Sequence, residues 1–231
     1  MGSFDQSGAK PETEGEATQA AQDRPHRPSD NQIATPRQDA GPVTTDTGKK
    51  YTPDSRRRWF ENESTKGRLD LTNLQAAKVV ITNQDGHVLT LQAPYETRRT
   101  IPGGWVDNGT STRETPEEAA AREVTEELGV RPVLGRLLAV NRKSKDPAHG
   151  RDYPMTDFIF GATLPESSNL RPDGKEVQDY AFLPHKEAVH AMGRKGVDVS
   201  AAMEALQSGE TLILEDGRRV EPPAQPPSPS R

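Results

Sequence analysis

Thr115-Pro116-Glu117-Glu118-Ala119-Ala120-Ala121-Arg122-Glu123-Val124-Thr125-Glu126-Glu127-Leu128-Gly129 spells out both ends of a helix. Thr115 can cap the start, Pro116 suits the first helical position, and Glu118 completes a Thr-x-x-Glu capping box. Gly129 stops the helix, because glycine tolerates the positive φ of a C-terminal cap. The pattern predicts a helix over 116–128. At about 100° per residue, Ala120, Val124 and Leu128 fall within about 80° of one another, with Ala121 beside them. That stripe faces a core. Glu123, Glu126 and Glu127 occupy a separate arc about 100° wide. Carboxylates three or four residues apart repel by about 0.3 kcal/mol a pair when nothing binds between them. Hard divalent cations such as Mg²⁺ or Mn²⁺ prefer oxygen ligands and would reverse the repulsion. The same residues also fit a solvated acidic face, with Arg122 in an ordinary ion pair.

The surrounding sequence alternates strand and helix patterns. An apolar, β-branched run at 77–82 is followed by the turn Asn83-Gln84-Asp85-Gly86 and a second strand pattern at 87–92, which together read as a hairpin. A short extended piece, Thr100-Ile101-Pro102, leads into Gly103-Gly104. Downstream, strands are expected at 132–141, 155–164 and 178–183, helices at 185–192 and 199–207, and a small closing hairpin around Asp216-Gly217. This order fits an α/β fold with a mixed sheet and helices packed on it. The basic run Arg56-Arg57-Arg58-Trp59-Phe60 marks where the ordered domain is expected to begin.

Composition confines the core to that middle part. Of 231 residues, 31% are hydrophobic, 5% aromatic and 28% charged, with 19 Gly and 20 Pro. Close to half of a globular chain is usually apolar, so the remainder is solvated. Residues 1–55 are rich in Gln, Asp, Thr, Pro and Gly without periodicity and read as a disordered arm. Residues 221–231 hold five prolines and read as a flexible tail. The ordered domain is expected at 56–220. No stretch is long enough to span a bilayer, and the first ten residues lack the blocks of a secretion signal, so a cytoplasmic location is expected. Zero cysteines exclude disulfides, thiolate zinc sites and a cysteine nucleophile. A net charge of −5 gives no global attraction to nucleic acid, and no such partner is expected despite the short basic run. The spacing at Gly103-Gly104 is not a dinucleotide fingerprint.

Arg122-Glu123-Val124-Thr125-Glu126-Glu127-Leu128-Gly129-Val130 resembles the second half of the Nudix box at every specified position. Glu114 lies eight residues before Arg122, as the box requires, and Ile101-Pro102-Gly103-Gly104-Trp105 resembles the Pro-Gly-Gly loop that leads into it. One feature departs from the pattern. Nine residues separate Gly104 from Glu114 where the family has five, as though Thr110-Ser111-Thr112-Arg113 were inserted. Loop insertions cost little closure entropy, so the helix is expected to survive this one.

The resemblance implies a Nudix-type α/β/α sandwich that cleaves a diphosphate linkage in a nucleotide-type substrate with Mg²⁺ or Mn²⁺. By position, Glu123, Glu126 and Glu127 correspond to metal ligands, joined by the Gly103 carbonyl, and Glu114 and Arg122 to a supporting pair. That pair could also be purely structural. Family members differ in which glutamate takes the proton from water. Glu126 and Glu127 are candidates, and so is Glu176 in Asp173-Gly174-Lys175-Glu176, which equally reads as a solvated turn residue. Arg98 and Arg99 are candidates for substrate phosphates, and Arg142, Lys143 and Lys145, which follow a strand, could do likewise. Trp105 is placed either to stack on a base or to pack beside the glycines. The rival expectation is a module of the same fold that senses a nucleotide or ADP-ribose-type ligand without cleaving it. Intact carboxylates speak against that rival, and substrate identity and oligomeric state are left open.

Overall fold

The architecture follows from which strand edges are free to pair. The computed structural model describes residues 53–220 apart from 95, 150, 166 and 167. Expectations for 1–52 and 221–231 lie outside the described residues. The chain enters through α1 (Pro53–Thr65), a helix not anticipated from the basic run it contains, which starts inside the segment expected to form the arm. β1 (Leu74–Ile81), β2 (Val88–Gln92) and β3 (Gly103–Trp105) precede α2 (Pro116–Leu128). Then come β4 (Val133–Lys143), β5 (Met155–Thr163), β6 (Asp179–Leu183), α3 (His185–Met192), α4 (Gly196–Ser208), β7 (Leu212–Glu215) and β8 (Arg218–Arg219).

Six of these strands form a mixed sheet in the order β3-β1-β5-β4-β7-β8, parallel at β1/β5 and β4/β7 and antiparallel elsewhere. Alternating side chains serve opposite faces. Ala77, Val79, Ile81 and Phe160 pack with Ala119, Ala120, Val124 and Leu128 of α2. Val80, Leu138 and Ile159 pack with Ala188 and Met192 of α3 and Val199, Ala202 and Ala205 of α4. Helices thus cover both faces of the mixed sheet, the expected α/β/α layering, which is why β1 is apolar along nearly its whole length.

The hairpin expected at 77–82 and 87–92 needs correction. The turn forms, with the Asn83 side chain accepting from the Asp85 and His87 N–H groups. The strands separate after the single bridge Thr82↔Val88, and β2 pairs instead with β6 in a separate two-stranded sheet. The reason is an occupied edge: β1 already bonds β3 on one side and β5 on the other. The closing hairpin does form, β7 to β8, with Asp216 at φ 47° and Gly217 at φ 80°, the positive pair that a two-residue turn favours.

A third apolar cluster seats α1 beside β3. Phe60 lies edge-on to Trp59, Trp105 and Tyr153, with ring centroids 5.1, 5.0 and 5.7 Å away. Trp105 therefore packs against Phe60, next to the glycines. Among the described residues no helix is long and apolar enough to cross a membrane.

Candidate active site

α2 is built as its letters dictate. Thr115 Oγ1 accepts from the Glu118 N–H at 3.2 Å, and Glu118 Oε2 accepts from the Thr115 N–H at 2.9 Å. Gly129 closes the helix in the left-handed region at φ 68°. The core stripe contains Ala120, Val124 and Leu128, completed by Ala119 rather than Ala121. Glu123 and Glu127, one turn apart, are buried beside it, at 9% and 7% exposure. Glu126 points outward, its side chain 59% exposed. The acidic arc is therefore divided into two carboxylates beneath the loop and one at the rim.

The two glycines make the roof. Gly103 sits at φ 136°, and a Cβ there would stand 2.2 Å from the Ala77 carbonyl oxygen. Only glycine permits so close an approach to β1. Its N–H donates to Glu127 Oε2 at 3.0 Å, the contact observed for the residue whose carbonyl was expected to serve a metal. The Glu123 carboxylate lies against Gly104, where an added Cβ would be 2.4 Å from Oε1.

Arg122 ties the arc together. It forks onto Glu114, Nε to Oε1 at 2.7 Å and Nη2 to Oε2 at 3.0 Å, and Nη2 also reaches the Trp105 carbonyl at 2.9 Å. Its Nη1 donates to Glu123 at 2.8 Å and to Glu126 at 3.1 Å. The Glu114 bonds, with Glu123 adding to them, outweigh burial and hold the guanidinium more firmly protonated than usual. Burial opposes ionisation of Glu114, but Arg122, the Asp107 N–H and the charge of Arg68 outweigh it and lower its pKa.

The deeper carboxylates go the other way. Burial pushes Glu123 up to about 7, partly offset by Arg122 and reinforced by Glu126 and Glu176. Burial pushes Glu127 up to about 9, relieved by the Gly103 N–H and reinforced by Glu123, Glu176 and Asp173. Glu176 thus lies close enough to act on both. The loop that brings it there is anchored on the end of α2 by Arg171 N–H to Leu128 O at 2.8 Å and Asp173 N–H to Glu127 O at 3.2 Å. The Asp173 side chain then accepts from the N–H groups of Lys175, Glu176 and Val177 and fixes the turn. Asp173 was missed as part of the acidic centre, although Asp173-Gly174 is a turn signal that placed the loop.

The other candidates lie elsewhere. The Arg98 guanidinium packs on Gly193, at the end of α3. Arg99 donates from Nε to Thr90 Oγ1 at 2.8 Å and from Nη1 to Asp179 at 3.2 Å, bracing β2 against β6. Lys143 is bound to Asp157 and Asp198 on the opposite face of the sheet from α2. Arg142 stands 3.6 Å from Glu215.

Hard oxygen donors in buried, mutually repelling positions suit a divalent cation in kind. Among the described residues, no three His, Asp or Glu side chains are grouped closely enough to hold one as they stand. The donor chemistry fits.

Comparison with known proteins gives the same family as the box. A family model for the NUDIX domain matches residues 72–202. Human diphosphoinositol polyphosphate phosphohydrolase 3-alpha is 42% identical over 66 residues, 29% of this chain and 38% of that protein. Its mouse counterpart is 41% identical over 83 residues, 36% of this chain and 44% of that protein. RNA pyrophosphohydrolase of Aeromonas hydrophila is 39% identical over 64 residues, 28% of this chain and 34% of that protein. The chain therefore spans less than half the length of each of these relatives. Among solved structures, a UDP-X diphosphatase aligns at TM-score 0.49 and 19% identity, covering 69% of this chain and 74% of the other. An ADP-ribose pyrophosphatase from Streptococcus suis aligns at TM-score 0.47 and 17% identity, covering 62% and 98%.

Proposed function

Because this chain belongs to the Nudix hydrolase family, we propose that it hydrolyses the diphosphate bond of a nucleoside diphosphate linked to another group, with Mg²⁺ or Mn²⁺ held by Glu123, Glu126 and Glu127. The observation that carries the reading is the concentration of carboxyl groups under Gly103 and Gly104, whose ionisation burial and mutual repulsion oppose until a cation compensates it. Glu123 and Glu127 are buried there, Glu176 presses on both electrostatically and Asp173 on Glu127, and Arg122 is bonded to Glu123. A divalent ion would neutralise phosphate oxygens and ease deprotonation of water.

The chain's own groups supply the rest. The Gly103 N–H orients the Glu127 carboxylate, leaving its second oxygen for a ligand. Arg122, braced by Glu114, holds Glu123 and Glu126 in place, as a supporting hydrogen bond does for any ligating carboxylate. Glu176 is the preferred proton acceptor, because its charge reaches both buried carboxylates while its side chain stays exposed and its backbone is fixed by Asp173. Glu127 and Glu126 are the alternatives.

A panel of nucleoside diphosphate derivatives with Mg²⁺ or Mn²⁺, scored for phosphate-containing products, tests the reading. It should include a diphosphoinositol polyphosphate and an RNA carrying a pyrophosphate, after the activities named for the relatives. Glu127→Gln is expected to lower kcat at least about a hundredfold, equivalent to about 2.7 kcal/mol of barrier, and to leave the circular dichroism unchanged. An unaltered rate in that variant would end the hydrolase reading. Tight ligand binding with no product in either metal would favour the sensor.

A further inference from the structure

We propose that α1 and the segment behind it position the carboxylate helix for catalysis, with Arg68 as the connecting residue. The proposal rests on the reading that the α2 carboxylates are the reaction centre. A continuous run of contacts leads to them from α1. Glu63, buried on α1, accepts from Arg68 Nη1 at 2.8 Å. Arg68 presents its other edge to Asp107, Nη2 to Oδ1 at 2.9 Å and Nε to Oδ2 at 3.1 Å. The Asp107 N–H donates to Glu114 Oε2 at 2.9 Å. Glu114 receives the Arg122 fork, and Arg122 holds Glu123 and Glu126.

Backbone contacts reinforce this line. The Gly109 N–H donates to Arg68 O at 2.8 Å and the Ser111 N–H to Gly67 O at 2.9 Å. Ser111 Oγ also donates to Gly67 O, at 2.6 Å. A Cβ on Gly109 would stand 2.2 Å from that same Gly67 oxygen. The stretch 110–113, which lengthens the loop beyond the family's spacing, is therefore seated on the turn after α1. The extra residues have a partner, and the partner is α1's own extension.

The consequence is chemical as well as architectural. Arg122 divides its donors between Glu114 on one side and Glu123 and Glu126 on the other. If the loop carrying Glu114 drifts, the guanidinium follows the remaining carboxylates and takes up oxygens needed for a cation. Displacements of about 1 Å at such a site can cost about a hundredfold in rate. Arg68 restrains that drift through Asp107, and its charge also reaches Glu114.

The test uses the full chain. Arg68→Met is compared with Arg68→Lys, with Asp107→Asn, which keeps the backbone N–H to Glu114, and with Arg219→Met, a control. Arg68 and Arg219 side chains are equally exposed, at 44%, and Arg219 pairs with Glu204 away from α2. Three quantities are read: Mn²⁺ affinity by titration with the metal alone, hydrogen exchange at Arg122 Nε–H, and kcat and KM on whichever substrate the panel yields. Arg68→Met and Asp107→Asn should each weaken Mn²⁺ binding about tenfold, in the range for groups that brace metal ligands. They should quicken Arg122 Nε–H exchange and lower kcat about tenfold at constant KM, with Arg68→Lys recovering part of the loss. Combining Arg68→Met with Asp107→Asn should be no worse than Arg68→Met alone, and Arg219→Met should match wild type. Unchanged Mn²⁺ affinity and Nε–H exchange in Arg68→Met would overturn the proposal, as would equal losses in Arg219→Met. Absence of any turnover by wild type would sink the hydrolase reading instead, while the exchange measurement would still decide about Arg68.

Discussion

Gly103 and Gly104 stand side by side, yet a methyl group added to each should do different harm. At Gly103 the new Cβ meets backbone, 2.2 Å from the Ala77 oxygen, at a φ of 136° that other residues rarely adopt. Backbone cannot swing aside, so Gly103→Ala is expected to cost about 3 kcal/mol from strain and displacement. Thermal unfolding should record a drop of roughly 10 °C, at about 2–4 °C per kcal/mol for a domain of this size. At Gly104 the obstacle is the free end of the Glu123 side chain, 2.4 Å away. Gly104→Ala should fold with nearly wild-type melting and lose Mn²⁺ affinity, because the carboxylate has to turn away. Equal melting temperatures for the two variants would refute the distinction. The glycine pair was legible in sequence as a loop. Its two separate reasons for being glycine were not, since each depends on what lies opposite: β1 in one case, α2 in the other.

An element is most legible when its ends are written into it. α2 was readable to the residue because capping box, N-terminal proline and terminating glycine all lie within it. Thr115→Ala removes one half of the box and should cost about 1 kcal/mol, read as a shift in the denaturation midpoint with unchanged slope. A midpoint equal to wild type would mean that Glu118 alone suffices. The inward turn of Glu123 and Glu127 and the outward turn of Glu126 were not legible, because periodicity gives direction around an axis and not what covers it. The partnership of β1 and β2 failed for a related reason. Turn chemistry at Asn83 shows where the chain reverses, but whether two strands stay joined depends on free edges, and β1 has none. α1 was hidden by its polar surface: Phe60 and Trp59 carry its docking, and two aromatics make a weak pattern.

Across the whole molecule, the feature that no local pattern foretold is a charge cluster in the layer between sheet and α4. Lys78 on β1, Lys143 on β4, Asp157 on β5 and Asp198 on α4 meet there, with Asn141 Nδ2 donating to Asp198 Oδ1 at 2.7 Å. Both aspartates have no exposed surface, and Asp157 Oδ1 is buried without a hydrogen-bond partner. Burial opposes ionisation of Asp198, but the charges of Lys78 and Lys143 outweigh it and depress its pKa below the ordinary 3.8. A depressed carboxylate contributes stability that is complete above the unfolded value and is lost as pH falls through the folded one. Unfolding free energy should therefore hold down to about pH 4 on this account and decline below it. Lys143→Met should cost about 3–5 kcal/mol, because it leaves buried carboxylate charge less compensated, and acid unfolding should move to higher pH. Wild-type acid stability in that variant would show the cluster to be dispensable. The family match at 72–202 ends inside α4 and begins after α1. Trimming to those limits would split a helix, strip Trp105 of Phe60 and bare the β4 edge where β7 lies, a template for aggregation. The smallest piece suited to crystallisation or isotope labelling is thus wider than the region the family model matches.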